Sequence, residues 1–404
     1  MPEAVIVATA RTPIGRAKKG SLVDQRPDDL GALVVRALLA KVPNLDPKLV
    51  EDVLIGCAQP AGEQGYNIAR VVALLAGLND APGATVNRYC SSSLQTIRMA
   101  AHAIKAGEGD VFVAGGVECV SRFDKGKSDG MEGTLNPLFN DAMARSKAFA
   151  SGTPWAPVDG LPDVYTNMLQ TAENVAGSLG VTRAEQDEFA VLSQNRAEAA
   201  QKSGFFRDEI TPVTLANGTV VDTDDCPRAG TTLGAIAGLE PILKKWMGDA
   251  ATVTAGNACP LNDGAAAVLV MSDKKAKELG LTPLARIVSS GVTGINPEIM
   301  GLGPVAASQQ ALARAGLTIK DIDLVEINEA FAAQVVPSAR QLGIPYEKLN
   351  VNGGAIALGH PFGMTGARIM TTLIHGLQVS GGRYGLETMC VGGGQGMAMI
   401  IERL

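Results

Sequence analysis

The 404-residue chain has few aromatic residues, few histidines and no long apolar run. Phe, Trp and Tyr together make up 4% of it, and only three histidines are present. No apolar stretch approaches the roughly 18 residues that a membrane-spanning helix needs, and the N-terminus carries no recognisable targeting pattern. We therefore expect no membrane association and a cytoplasmic location.

Charge of one sign is not concentrated anywhere in the chain. The 35 Lys and Arg residues face 41 Asp and Glu residues, which gives a formal net charge of -6. Nucleic-acid binding usually requires a basic patch or stripe, and none is visible. The sequence thus predicts no nucleic-acid partner, and its mild acidity indicates little beyond solubility.

The cysteines lack the spacings that mark disulfide frameworks or zinc sites. No CxxC pair occurs among them. Scattered cysteines in a chain without an export signal are typical of free thiols in a reducing compartment. We expect no disulfide and no bound metal. The six positions are Cys57, Cys90, Cys119, Cys226, Cys259 and Cys390.

What the chain has in abundance is small and aliphatic residues. Hydrophobic residues make up 46% of it and glycine occurs 47 times, a composition typical of α/β proteins with many tight turns. Strand-like runs at 5–8, 52–56 and 111–116 alternate with helical patterns, which favours a largely parallel sheet covered by helices. The length predicts more than one core.

The last third of the chain repeats the first in outline. Val86-Asn87 precedes Cys90 and a helix, as Val351-Asn352 precedes His360 and a helix. A more polar segment with both tryptophans separates the repeats. We predict a duplicated α/β unit with an insertion. The predicted domains are 1–120 with 251–272, the inserted 121–250, and 273–404.

Cys90 is the first candidate for chemistry. Apolar residues recur at helical spacing from Leu94 onward, so a helix should begin near Ser91. The unpaired N–H groups and the positive dipole at a helix N-terminus stabilise a thiolate, the nucleophilic form of cysteine. A single cysteine is nevertheless more often a small buried apolar residue, and its position alone does not decide between the two.

Three further residues could work with a nucleophile. His360 lies in a loop held by glycine and proline, where it could act as a base. Cys390 precedes a run of glycines beginning at Gly392, whose backbone N–H groups could approach a substrate oxygen. Asn328 follows a strand-like run. Taken one at a time, a rigid turn, a core thiol and a helix cap explain these residues equally well.

Together these motifs closely resemble the thiolase family, over nearly the whole chain and in order. The family implies a fold of two duplicated five-layered α/β/α/β/α halves with an inserted loop domain, and a homodimer or homotetramer. It implies acyl-CoA and CoA as substrates or products, with no tightly bound cofactor. The matching runs are 86–92, 114–118, 171–174, 262–266, 328–331, 359–363 and 390–396.

The resemblance also implies a role for each candidate. Cys90 would attack an acyl-CoA after His360 takes its proton, and Cys390 would transfer a second proton. His360 with a water held by Asn328 would stabilise the enolate of acetyl-CoA. The N–H groups of Cys90 and Gly392 would stabilise the oxygen of the acyl-enzyme.

By the same resemblance, three residues are expected to bind CoA. Arg228 matches an arginine that packs near the adenine, although an arginine in a solvated loop is the simpler alternative. Met168 would line the pantetheine channel. Cys259 stands where a pantetheine-contacting serine is usual.

Three positions depart from the family pattern. Ser93 replaces the glycine of Cys-x-Ser-Gly, which should alter the turn into the helix. Asn167 and Leu169 replace the histidine and glycine that flank the methionine in many biosynthetic members. We expect these two replacements to allow longer acyl chains.

Two other functions remain possible. A ketosynthase-like condensing enzyme would share the fold and the nucleophilic cysteine, but Cys390 and Asn328 argue against it. A thiolase-fold protein that binds acyl-CoA without catalysis would not need Cys90, Asn328, His360 and Cys390 together.

Overall fold

The computed structural model describes residues 2–149 and 155–404. Among these, no helix combines the length and apolarity needed to cross a membrane. The strands are β1 (Ala4–Arg11), β2 (Gly15–Arg16), β3 (Asp52–Gly56), β4 (Gly83–Val86), β5 (Val111–Cys119), β6 (Val213–Thr214), β7 (Val220–Val221), β8 (Asn262–Ser272), β9 (Ala285–Gly294), β10 (Leu324–Ile327), β11 (Tyr384–Val391) and β12 (Gln395–Arg403). The helices are α1 (Pro27–Lys41), α2 (Ile68–Leu75), α3 (Ser92–Ala106), α4 (Asn140–Phe149), α5 (Met168–Leu179), α6 (Arg183–Ser203), α7 (Leu233–Ala237), α8 (Lys244–Met247), α9 (Asp273–Glu278), α10 (Gly303–Ala315), α11 (Ala332–Leu342), α12 (Ala355–Leu358) and α13 (Thr365–Ser380).

The strand order shows the predicted duplication, but the expectation of a largely parallel sheet was wrong, because most neighbouring strands pair antiparallel. The large sheet runs β10-β11-β12-β9-β1-β8-β5-β3-β4, with β2 paired to β8. In the first half β3 is parallel to β4 and β5, and β5, β8 and β1 are antiparallel neighbours. In the second half β10 is parallel to β11, and β11, β12 and β9 are antiparallel neighbours. The halves meet where β1 pairs with β9, at Val5–Arg286 and Ile6–Ala285.

In each half of the molecule, helices cover both faces of its part of the large sheet. Alternate residues of β8 show this, because Ala266 and Val268 pack with α3 and α13, whereas Ala267 and Leu269 pack with α1 and α2. On the second half, α10 and α11 cover the outer face. The five α/β/α/β/α layers therefore extend across both halves, with α3 and α13 sharing the middle layer. Burial on both faces explains why β8 is apolar almost without interruption.

The long connection between β5 and β8 carries helices α4 to α8 and the small β6–β7 hairpin. Its longest helix, α6, begins at a capping box in which Thr182 and Glu185 satisfy each other's backbone N–H groups,. The predicted insertion at 121–250 falls inside this connection. The domain boundaries themselves stay a prediction.

A buried ion-pair cluster ties this connection to β1. Arg11 Nε donates to Glu209 Oε2 at 2.8 Å, and Arg11 Nη1 donates to Asp224 Oδ1 at 2.8 Å. All three side chains are buried. Burial alone would lower the pKa of Arg11, but Asp224 and Glu209 outweigh it and raise the pKa. Arg11 thus neutralises two carboxylates that water does not reach.

Replacing Arg11 should therefore destabilise the protein strongly. We expect Arg11→Ala to cost about 3–5 kcal/mol, because it leaves two buried carboxylates without a cation. Thermal and urea unfolding would measure the loss. Lys202→Ala is the control: Lys202 pairs with Glu198 while 73% exposed, so its loss should cost no more than about 1 kcal/mol. Equal effects of the two variants would contradict the prediction.

Candidate active site

Cys90 lies in a tight turn between β4 and α3. Tyr89 adopts a φ of 43°, a left-handed conformation that non-glycine residues rarely take,. Asn87 supports the turn, since its Oδ1 accepts from Tyr89 N at 2.9 Å and its Nδ2 donates to Ala58 O at 3.0 Å. Strained turns of this kind cluster at functional sites. The predicted helix start is one residue off, since α3 begins at Ser92.

Ser93 does not disturb the helix. Ser92 before it is already helical, and Ser93 itself is buried within α3. Its Oγ accepts a hydrogen bond from Ala367 N at 2.9 Å, which satisfies one of the unpaired N–H groups at the start of α13. The residue that departs from the family pattern thus links the two central helices.

The hydrogen bonds of His360 assign its tautomer. Thr365 Oγ1 lies 2.6 Å from His360 Nδ1 and donates its own proton to Pro361 O at 2.8 Å. Nδ1 must therefore carry a proton and donate to Thr365, which leaves Nε2 unprotonated. His360 N donates to Asn262 Oδ1 at 2.8 Å. A neutral imidazole with an unprotonated Nε2 is the form that a general base requires.

Asn328 faces this nitrogen. Its Nδ2 lies 3.3 Å from His360 Nε2, and Gln334 Nε2 donates to its backbone oxygen at 3.3 Å. Within the described part of the chain, its buried Oδ1 has no hydrogen-bond partner. Buried acceptors are costly to leave unpaired, so this oxygen is available to bind water or a ligand.

Cys390 is fully buried near the end of β11. Its Sγ lies 3.4 Å from Gln334 Oε1, to which the thiol donates. Burial raises the pKa of Cys390 well above its ordinary value, and Cys90 and Cys259 raise it further. Three thiols therefore share one electrostatic neighbourhood.

Both Cys90 and His360 are uncharged at rest. Burial raises the pKa of Cys90 to about 11, although N–H groups of Gly392 and of Cys90 itself bond to the sulfur and oppose the rise. Burial and the nearby Arg368 lower the pKa of His360 to about 3. Desolvation therefore has a larger effect on the pKa of Cys90 than these N–H groups. Proton transfer from Cys90 must accompany its attack on a substrate.

Two cavities meet at Cys90. One, of about 630 Å³, is lined by Cys90 and His360 together with the predicted CoA-binding residues Met168, Arg228 and Cys259. The other, of about 610 Å³, is lined by Cys90 and Gly392 together with Tyr89, Leu135, Val164, Tyr165, Met168 and Phe362. Neither cavity wall includes Asn328 or Cys390, which are buried behind them.

Sequence reasoning missed several residues that hold the site. Asn262 lies inside the run 262–266 and Thr365 lies two residues after the run 359–363, but their bonds to His360 could not be read from the sequence. Gln334 bonds to both Asn328 and Cys390, and no sequence signal marked it. Asn87 was noted only as part of a repeated Val-Asn pair.

Two protein-family models match the chain. They describe the thiolase N-terminal domain, over residues 4–274, and the thiolase C-terminal domain, over residues 281–403. Similar proteins include the beta-ketoadipyl-CoA thiolase of Acinetobacter baylyi, 46% identical over 413 residues, and the 3-oxoadipyl-CoA/3-oxo-5,6-dehydrosuberyl-CoA thiolase of Escherichia coli, 45% identical over 416 residues. The 3-ketoacyl-CoA thiolase of Shewanella loihica is 46% identical over 411 residues. Each alignment covers 100% of both chains, which favours the thiolase prediction over both alternatives.

The protonation of the Cys90 thiol in the free protein can be tested by its rate of alkylation. Iodoacetamide reacts with thiolates, so labelling of Cys90 should accelerate by about tenfold per pH unit between pH 7 and pH 10. At any pH below the thiol pKa of about 11, the thiolate fraction rises about tenfold for each pH unit. Labelling rates at the Cys90 peptide, followed by mass spectrometry with Cys90→Ala as background, would test this. A plateau below pH 8 would instead indicate a thiolate–imidazolium pair at rest.

Proposed function

Because the chain belongs to the thiolase family, whose members transfer acyl groups to and from CoA, we propose that it cleaves 3-ketoacyl-CoA through Cys90, His360, Cys390 and Asn328. The observation that carries the proposal is the position of Cys90. It lies between two cavities and beside an imidazole whose Nε2 is free to accept a proton. One cavity suits the CoA part of a substrate and the other its acyl chain.

In the first half of the reaction, Cys90 Sγ attacks the 3-keto carbon while its proton passes to His360 Nε2. The N–H groups of Cys90 and Gly392, which bond to this sulfur, stabilise the negative oxygen that forms. The C2–C3 bond then breaks and its electron pair remains on C2. His360 and a water held by Asn328 stabilise the resulting enolate, and the Cys390 thiol donates a proton to C2. Acetyl-CoA leaves and an acyl group stays on Cys90.

In the second half, CoA takes the place of acetyl-CoA. The Cys390 thiolate removes the proton of the CoA thiol, whose sulfur attacks the acyl carbon on Cys90. Cys90 leaves as the C–S bond breaks and recovers its proton from His360. The buried Cys390, with its raised pKa, suits this role, because its thiolate is a strong base that persists only until CoA supplies a proton.

Two substitutions separate these steps. Cys90→Ala should abolish thiolysis of acetoacetyl-CoA, measured as loss of the 3-ketoacyl absorbance in the presence of CoA. Cys390→Ala should lower kcat by about 10²–10⁴-fold, the contribution typical of a positioned acid–base group, while iodoacetamide still labels Cys90. Undiminished turnover in either variant would overturn its proposed role.

For the acyl chain, we propose neutral substrates longer than acetoacetyl-CoA. The second cavity offers an apolar surface beyond Cys90, formed by Leu135, Val164 and Phe362. Its described lining includes Asp129, whose Oδ2 accepts from Gln59 Nε2 at 2.8 Å, and no Lys, Arg or His. An adipyl chain ends in a carboxylate, and Asp129 would repel it. A relative named for beta-ketoadipyl-CoA and one named for 3-ketoacyl-CoA, with no chain specified, are both 46% identical, so the cavity carries this proposal.

A matched pair of substrates tests the preference. 3-Oxohexanoyl-CoA and 3-oxoadipyl-CoA share a six-carbon backbone, and we expect the neutral one to have a kcat/KM higher by about fivefold, the effect of roughly 1 kcal/mol of screened repulsion. Asp129→Asn should lower the ratio of kcat/KM for 3-oxohexanoyl-CoA to kcat/KM for 3-oxoadipyl-CoA. Preference for 3-oxoadipyl-CoA would refute the proposal, and rejection of both would contradict the expected tolerance of longer chains.

Assembly into a homodimer or homotetramer stays a prediction, as does the cytoplasmic location. Strand β4 supports assembly, because it lies at one end of the sheet order and its four residues are only half-buried. An exposed strand edge can pair with another chain.

A further inference from the structure

Glu118 buries a carboxylate where the two halves meet. The side chain lies one residue before the end of β5 and is completely inaccessible to solvent. Its Oε2 accepts from Ala58 N at 2.8 Å and from Gly363 N at 3.0 Å. Its Oε1 accepts from Gln64 Nε2 at 2.7 Å and from Gln59 N at 3.3 Å. These four partners are N–H donors, and one of them comes from the opposite half of the molecule; the Cys57 thiol is a fifth, more distant donor, 3.8 Å from Oε1.

The partner from the opposite half belongs to the loop of His360. Gly363 packs so closely against the first half that a Cβ there would overlap Val117 O, while a Cβ at Gly116 would overlap Gly363 O. This close approach of backbone to backbone permits only glycine. Glu118 supplies the side-chain hydrogen bond that holds the loop at this contact.

The other partners lead to the nucleophile. Glu118 holds Ala58 N, and Ala58 O accepts from Asn87 Nδ2 at 3.0 Å. Asn87 Oδ1 in turn accepts from Tyr89 N at 2.9 Å, the residue directly before Cys90. A continuous series of hydrogen bonds therefore runs from the turn of Cys90 through Glu118 to the loop of His360.

We propose that Glu118 is a positioning residue that keeps the Cys90 turn and the His360 loop in register. The proposal rests on the function proposed above, because it assumes that Cys90 and His360 react together. Reacting groups need near-contact geometry, and a displacement of about 1 Å can lower a rate by about 10²-fold. A carboxylate accepts hydrogen bonds on both oxygens and carries no hydrogen of its own, unlike an amide or a carboxylic acid. It can therefore accept from four N–H groups at once.

The cost of burying the Glu118 carboxylate also supports a positioning role. Within the described residues, Glu118 has no Lys or Arg partner. Burial raises the pKa of Glu118 to about 7, against the opposing effect of its N–H bonds. An unpaired buried carboxylate costs free energy, which a residue serving stability alone would avoid. Its charge also raises the pKa of Cys90, as the smallest of the resolved effects.

The test is Glu118→Gln, which keeps the shape but turns one acceptor into a donor that faces N–H groups. We expect kcat for thiolysis to fall by about 10–100-fold with KM for both substrates unchanged. Iodoacetamide labelling of Cys90 should not fall, because the thiol stays accessible and loses one charge that raises its pKa. A fall in kcat without a fall in labelling is the signature of lost alignment.

Glu209→Gln is the matched control, since it alters another fully buried carboxylate that lies outside the site. It should lower the melting temperature and leave kcat unchanged. If Glu118→Gln lowers labelling and the melting temperature and raises KM together, or if it has wild-type kcat, Glu118 has no positioning role. If Glu118→Gln does not fold, Gln64→Met, which removes one donor to the carboxylate and also the acceptor of Cys119 N, should lower kcat with KM unchanged; an unchanged kcat would overturn the proposal. Absence of turnover in the wild type would overturn the proposed function and this proposal together.

Discussion

The contact between the starts of α3 and α13 governs the rest of the structure. Ser93 Oγ bonds to Ala367 N, and Gly366 packs so tightly that a Cβ there would overlap the backbone of Leu94. Two helices from different halves therefore begin side by side, and the loops that precede them carry Cys90 and His360. Cys90 comes from the first half, and its partner base His360 comes from the second. The packing of the middle layer makes them a pair.

Burial gives this pair its chemical character. The same close packing that brings the groups together removes water, which raises the pKa of Cys90 to about 11 and lowers that of His360 to about 3. Both stay neutral until a substrate arrives, so the site avoids the cost of isolated buried charges. In the proposed mechanism, the N–H groups of Cys90 and Gly392 stabilise the negative oxygen that forms during the reaction.

Much of the fold could be predicted because its signals are local. Helices α1, α2 and α6 follow apolar stripes and capping patterns, and the strands covered on both faces read as apolar runs. The candidate site residues were also recognisable, since Cys90 precedes a predicted helix, Asn328 follows a strand-like run, and His360 and Cys390 lie beside glycines. The residues that hold these side chains in place were not recognisable. Gln334 and Glu118 act on partners far away in the chain, and an amide or a carboxylate in a helix or strand carries no local mark of such a bond.

By itself, the sequence determined the elements, their duplication and the family, and it singled out the candidate reactive residues, because periodicity and turn residues act over a few neighbouring positions. Tertiary structure alone decided the tautomer of His360, the protonation of Cys90 and the two cavities that meet at its sulfur. It also reversed one expectation. The N–H groups at the start of α3 were expected to stabilise the Cys90 thiolate, but burial in the surrounding protein favours the neutral thiol. Desolvation depends on every atom packed around a group, and those atoms come from segments that only folding brings together.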